Sequence, residues 1–114
     1  MVRTPPSSWF PRRGEVYFVH LDKDRPALVI SGDAINRFAL DVCVVPITTV
    51  ARPKFSLRIP VNPPDGGLSK PSWIKCDQVT TLEKALLVYP PLGRISDLTL
   101  HEIENAIKMA LQLT

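Results

Sequence analysis

The sequence predicts a mainly β domain with a helical end: a small, strongly bent antiparallel sheet or barrel closed by one C-terminal helix. Three observations carry that expectation. Twelve prolines and five glycines divide the 114 residues into short segments, as in domains built from many brief strands. The apolar runs, Leu28-Val29-Ile30 and Val42-Cys43-Val44-Val45 among them, are short and rich in β-branched side chains, which suit a pleated, buried surface. Apolar residues recur at convincing helical spacing only near the C-terminus,. With 45% hydrophobic residues, the chain can fill one core and is too short for a second.

In chain order, residues 1–11 are rich in proline and serine and read as a flexible or loosely docked arm,. Trp9 and Phe10 are the residues of that arm expected to pack on the domain. Residues 12–114 form the single domain. A first strand runs from Glu15 to Leu21, and the short charged loop Asp22-Lys23-Asp24 leads into a second over 25–31. So tight a connection implies an antiparallel hairpin. Leu28-Val29-Ile30 has no polar interruption, so the second strand is expected to be buried on both faces. Residues 32–38 form a turn with about one turn of helix inside it. A third strand spans Asp41 to Thr48, and a fourth, Lys54 to Val61, alternates as an outer strand whose wet face carries Lys54, Ser56 and Arg58,. Asn62 to Gly67 is a loop,. Ser72 to Cys76 is the fifth strand and Leu86 to Tyr89 the last β segment. The helix begins at Ser96, or at Thr99 with Glu102 as a capping box,. It buries Leu100, Ile103, Ile107, Ala110 and Leu111, leaving Glu102 and Glu104 wet.

Composition excludes several classes. Fourteen Lys+Arg against eleven Asp+Glu give a net charge of +3, compatible with a polyanionic partner without demanding one. Two cysteines make no disulfide framework, and Cys43, inside an apolar run, reads as a reduced, buried thiol,. Two histidines far apart argue against a zinc site,, and no other metal or cofactor motif is present. No apolar run reaches the roughly 18 residues of a membrane helix. Met1 to Phe10 has no apolar signal core,, so the expected location is the cytoplasm.

Three polar clusters interrupt the apolar strands near their ends: Arg25, Thr48-Thr49, and Lys75 with Asp77 and Gln78. Strand ends of a small barrel can converge on one rim. A guanidinium beside Pro26 sits on a stiff platform, remains charged at every working pH, and offers a planar fork of donors to phosphate oxygens. With a threonine to bond a non-bridging oxygen, this is a toolkit for RNA cleavage in which a 2′-hydroxyl attacks its own phosphate. The competing reading is satisfied surface polarity, with Arg25 in a salt bridge to Asp22 or Asp24.

Arg13-Gly14-Glu15-Val16-Tyr17, Arg25-Pro26-Ala27-Leu28-Val29-Ile30-Ser31, Val45-Pro46-Ile47-Thr48-Thr49, Cys76-Asp77-Gln78-Val79-Thr80-Thr81-Leu82 and Leu92-Gly93-Arg94-Ile95-Ser96 occur in this order. So arranged, the chain resembles the MazF/PemK (Kid) toxins of bacterial toxin–antitoxin operons over about residues 12–113. That resemblance implies an SH3-like barrel related to the gyrase poison CcdB, a homodimer, and a metal-independent endoribonuclease cutting single-stranded RNA. It implies Arg25 as the main catalytic residue, Thr48 as its phosphate-binding partner and Asp77 as base or substrate contact. Lys75 stands where relatives often carry arginine. Lys75, Thr49, Gln78, Arg37 and Lys54 are then RNA-binding candidates, and the same basic groove would receive the acidic C-terminal segment of a cognate antitoxin. Many relatives have a longer, glycine-rich loop between the first two strands. Here Leu21-Asp22-Lys23-Asp24-Arg25 is abbreviated, which leaves the recognised sequence open. His20 is either a strand-end residue or a proton shuttle. Trp73 and Phe38 are either core residues or platforms for unpaired bases. Two other readings follow from the same fold: a non-enzymatic gyrase poison, and an inactive relative that only binds antitoxin.

Overall fold

The structure, a computed structural model, describes residues 3–51 and 57–113. Its elements are β1 (Glu15–Val19), β2 (Arg25–Val29), α1 (Asp33–Phe38), β3 (Asp41–Thr48), β4 (Arg58–Val61), β5 (Ser72–Lys75), β6 (Thr80–Glu83), β7 (Leu87–Arg94) and α2 (Asp97–Leu111). All pairings are antiparallel. The strand order is β4-β5-β3-β2-β1-β7, with β6 also on β3. No helix of the described residues is long and apolar enough to cross a membrane.

β3 is the strand around which the sheet bends. One edge pairs with β2; along the other, Asp41 to Val44 pair with β6 while Ile47 and Thr48 pair with β5. Where that edge passes from one partner to the next, residues 76–79 turn away. The result is a strongly bent, half-open barrel of the expected class rather than a closed ring.

The hairpin of β1 and β2 is antiparallel as expected, with Val16 opposite Leu28 and Val19 opposite Arg25. Both faces of β2 are covered. On one, Leu28 joins Val16, Val45, Ile47, Ile74, Ile95, Leu100 and Ile103 beneath α2. On the other, Ala27 and Val29 join Tyr17, Val19, Val42, Val44 and Leu87, with Trp9 laid against them. Fully buried, each large side chain contributes roughly 1.5–3 kcal/mol. Trp9 is fixed by its indole N–H donating to the Tyr17 hydroxyl at 3.2 Å, and the Arg3 backbone N–H donates to the Tyr89 carbonyl at 2.9 Å.

Ser96 is the helix cap, its Oγ accepting from the Thr99 N–H at 3.3 Å. The Asp65 carboxylate reinforces it, accepting from the Ser96 N–H (2.7 Å), Ser96 Oγ (3.0 Å) and Thr99 Oγ1 (2.9 Å). One carboxylate thus ties the loop before β5 to the positive end of α2.

Several expectations need correction. β1 and β2 are each two residues shorter at their C-terminal ends. β6 is a separate strand that the polar stretch Thr80–Glu83 concealed. β7 runs through Pro90 and Pro91, which an outermost strand with a register shift against β1 can hold,. On α2 the buried residues are Leu100, Ile103 and Ala106, whereas Leu111 is 48% exposed. Glu104 is not simply wet, since it pairs with Arg13 at 2.5 Å. Cys43 is half-buried rather than core, its Sγ 3.6 Å from Thr81 Oγ1. Phe38 is 78% exposed. Lys54, Phe55 and Ser56 of the expected fourth strand lie outside the described residues.

The core carries two acidic groups held neutral. Burial pushes the Cys76 thiol up to about 11 from 9.0. Burial, with the Glu15 carboxylate accepting the Tyr17 O–H at 2.9 Å, raises the Tyr17 hydroxyl well above its ordinary value. In the unfolded chain both groups ionise earlier, so above about pH 9 the unfolded state binds fewer protons than the native one. The slope of stability with pH is then negative. The contribution is fully present below pH 9 and is lost as pH rises through about 11, on the order of 2–3 kcal/mol for Cys76. Melting temperature should fall steadily from pH 9 to 11, and Cys76→Ala should flatten the first part of that fall. A curve flat to pH 11 would contradict the burial.

Candidate active site

The β2–β3 register sets Ala27 opposite Pro46, Leu28 opposite Val45 and Val29 opposite Val44. Carried two residues on, it places Arg25 beside Thr48, about 5 Å between Cα atoms. Thr48 lies opposite Trp73 of β5, and Trp73 opposite Pro60 of β4. A single row, Val19, Arg25, Thr48, Trp73, Pro60, therefore crosses five strands. The next row holds Tyr17, Ala27, Pro46, Lys75 and Arg58. Opposite residues share a face, so Arg25, Thr48, Trp73, Lys75 and Arg58 all lie on the face turned away from α2.

Local bonds orient these groups. Thr48 Oγ1 accepts from the Val50 N–H at 3.1 Å, which leaves its own hydrogen to donate outward. The Val50 carbonyl in turn accepts from Arg58 Nη1 at 2.7 Å. The Gln78 N–H donates to the Lys75 carbonyl at 3.1 Å, and Thr80 Oγ1 to the Gln78 carbonyl at 3.0 Å. That turn presents Asp77 and Gln78 exposed just past the end of β5, and Thr49 is exposed just past β3. Among the described residues no carboxylate is in ion-pair range of Arg25, Arg58 or Lys75. Asp24 instead meets His20 Nδ1 at 3.0 Å, so the salt bridge that competed for Arg25 is not formed.

The geometry thus brings Arg25, Thr48 and Thr49 to one end of β3, with Lys75 one row further in. Asp77 and Gln78 lie in the turn where the β3 edge passes from β5 to β6, about 10 Å along the strand from Thr48,. Arg37 does not join them: it sits on α1 over the rings of Phe38 (5.2 Å) and Phe10 (5.8 Å). Its helix precedes Asp41, at the opposite end of an eight-residue strand, about 20 Å from Thr48. Phe38, beside it, leaves the site with it. Lys54 lies outside the described residues. Trp73, open in the sequence between core and base platform, and Arg58, on the wet face of the outer strand, both lie on the site face. The alternation of Lys54, Ser56 and Arg58 against Phe55, Leu57 and Ile59 was the signal for Arg58.

A bent antiparallel sheet backed by a C-terminal helix thus carries on its open face a hydroxyl free to donate and three cations without an ion-pair partner among the described residues, an arrangement whose chemistry suits a polyanion. Residues 12–111 match the PemK-like, MazF-like toxins of type II toxin–antitoxin systems, and the chain belongs to that family. It is similar to a probable endoribonuclease MazF of Mycolicibacterium smegmatis, 33% identical over 88% of this chain and 95% of the relative. The endoribonuclease EndoA of Bacillus subtilis is 27% identical over 90% of this chain and 95% of its own. Among solved structures, a mycobacterial endoribonuclease in complex with its cognate antitoxin superposes with a TM-score of 0.81 at 32% identity, covering 91% of this chain and 97% of that one.

Proposed function

We propose that this protein is a toxin endoribonuclease of the cytoplasm that cuts single-stranded RNA without a metal, acts as a homodimer, and is neutralised by a cognate antitoxin whose acidic C-terminal segment occupies the same face. The observation that carries this reading is the β2–β3 register, which carried on sets Arg25 beside Thr48, whose Oγ1 accepts from the Val50 N–H and keeps its own hydrogen to donate,. Both donors meet non-bridging oxygens of one phosphate. Asp77 accepts the proton of the adjacent 2′-hydroxyl, the 2′-oxygen bonds to phosphorus, and the bond from phosphorus to the 5′-oxygen breaks. The leaving oxygen takes a proton from solvent, and the products are a 2′,3′-cyclic phosphate and a 5′-hydroxyl. Charge accumulates on the phosphate oxygens between those states, where fixed donors stabilise it most. A guanidinium holds its own protons tightly, so Arg25 acts as an electrostatic clamp rather than as a base. Relatives that are themselves endoribonucleases favour this reading over a gyrase poison.

Incubated in EDTA with a long, partly unstructured RNA, the purified protein should make discrete cuts ending in 2′,3′-cyclic phosphate, and none in DNA of the same sequence. An intact RNA would move the assignment to gyrase poisoning or to an inert antitoxin-binding relative.

A further inference from the structure

Arg58 of β4 and Lys75 of β5 stand directly opposite each other on the site face. Like charges so placed destabilise a sheet, and no described carboxylate offsets them. Arg58 is also incompletely satisfied. Its Nη1 is spent on the Val50 carbonyl, while its Nε is buried with no hydrogen-bond partner among the described residues. A buried donor left unpaired is costly and uncommon in native proteins. An anion drawn between the two side chains would offset the repulsion, and an Arg58 side chain turned toward it would bring Nε out to donate,.

The position of the pair says which anion. It lies one row from the row of Arg25, Thr48 and Trp73, about 7 Å along the strands, within reach of the next link of an extended nucleic-acid strand. Trp73, half-buried, belongs to the first row and precedes Lys75 by two residues on β5. An aromatic at that point suits the stacking of an unpaired base.

We propose that Arg58 and Lys75 form a second phosphate subsite, holding a phosphate that flanks the scissile one while Trp73 stacks the base between them. This rests on the ribonuclease reading above. The subsite sets how much RNA the enzyme must grip: a substrate lacking the flanking phosphate binds poorly even when the scissile bond is present. Arg58 is a binding residue here, in contrast to a residue that merely positions Thr48 through Val50.

The test uses Arg58→Gln and Lys75→Gln in the full chain, with an RNA oligonucleotide spanning a mapped cut site and a copy carrying 2′-deoxyribose at that site, which binds without being cut. Each variant should bind the uncut copy about tenfold more weakly, and the dependence of log affinity on log salt should become shallower by about 0.7 per charge removed. On the cleavable RNA the loss should fall on KM. Melting of Lys75→Gln should not drop, because a like-charge contact is relieved; it remains the informative variant should Arg58→Gln unfold. Unchanged affinity and salt slope in variants of a wild type that binds and cuts would overturn the subsite alone. So would a loss confined to kcat, which assigns Arg58 to positioning Thr48. A wild type that neither binds nor cuts RNA would overturn the ribonuclease reading, and the subsite with it.

Discussion

Replacing Arg25 with alanine is expected to lower the cleavage rate by roughly 10²–10³-fold or more, with no measurable change in melting temperature. The two halves of that result have separate causes. Arg25 is exposed at the first position of β2 and makes no ion pair among the described residues, so the folded state loses nothing when the side chain is truncated. The rate should suffer because, in the proposed reaction, the guanidinium beside Thr48 stands where negative charge grows on the phosphate, and a fixed donor acts there without reorganising. Arg25→Lys should recover only part of the rate: an ammonium restores the charge but not the planar pair of donors. Initial rates on the mapped RNA, beside a thermal melt of each variant, would measure this. Near wild-type cleavage by Arg25→Ala would remove Arg25 from the site, and a lowered melting temperature would mean that the strand end relies on it.

How far the sequence revealed this arrangement depended on the range of the interactions involved. Leu28 and Val29 announced a strand buried on both faces, and the structure covers one with α2 and the other with the Tyr17 and Val42 cluster. Arg25 and Thr48 could be singled out because each breaks an apolar run at a strand end, a local signal. Their adjacency could not be read from spacing, since it follows from the β2–β3 register. The distance of Arg37 was hidden for the same reason: basic chemistry fits an RNA site, but α1 precedes the far end of β3, where Arg37 lies over the exposed Phe38 ring. Arg58 looked like any wet lysine-type position until β5 put Lys75 opposite it. β6 escaped notice because Thr80, Thr81 and Glu83 are exposed and owe their strand conformation to β3 rather than to a buried face of their own.

The largest effect on stability is expected at Gly67, a residue that sequence reading assigns only to a loop. It ends the turn of Asp65–Gly67 with φ of +72°, a conformation that L side chains adopt at a cost of roughly 1–2 kcal/mol. Backbone proximity matters more. A Cβ on Gly67 would lie 1.9 Å from the Leu92 carbonyl oxygen and 2.3 Å from its carbon, while one on Gly93 would lie 2.7 Å from the Gly67 nitrogen. Two backbones cross here with no space for a methyl group, and neither can yield as the tip of a flexible side chain would. The crossing ties the Asp65 turn to β7 beside Gly93, which is opposite Val16 of β1, and Asp65 in turn holds the start of α2. Gly67→Ala must therefore push apart the helix cap and the edge of the sheet together. Overpacking of about 1–3 kcal/mol added to the backbone term gives a loss of about 2–5 kcal/mol, and at roughly 4–8 °C per kcal/mol the melting temperature should fall by about 10 °C or more. Gly32→Ala is the control: a Cβ there meets nothing within 4 Å, and its effect should stay within about 0.5 kcal/mol. A Gly67→Ala protein melting with the wild type would mean that the turn and β7 are not in contact in solution, and that Asp65 holds α2 without help from the sheet edge.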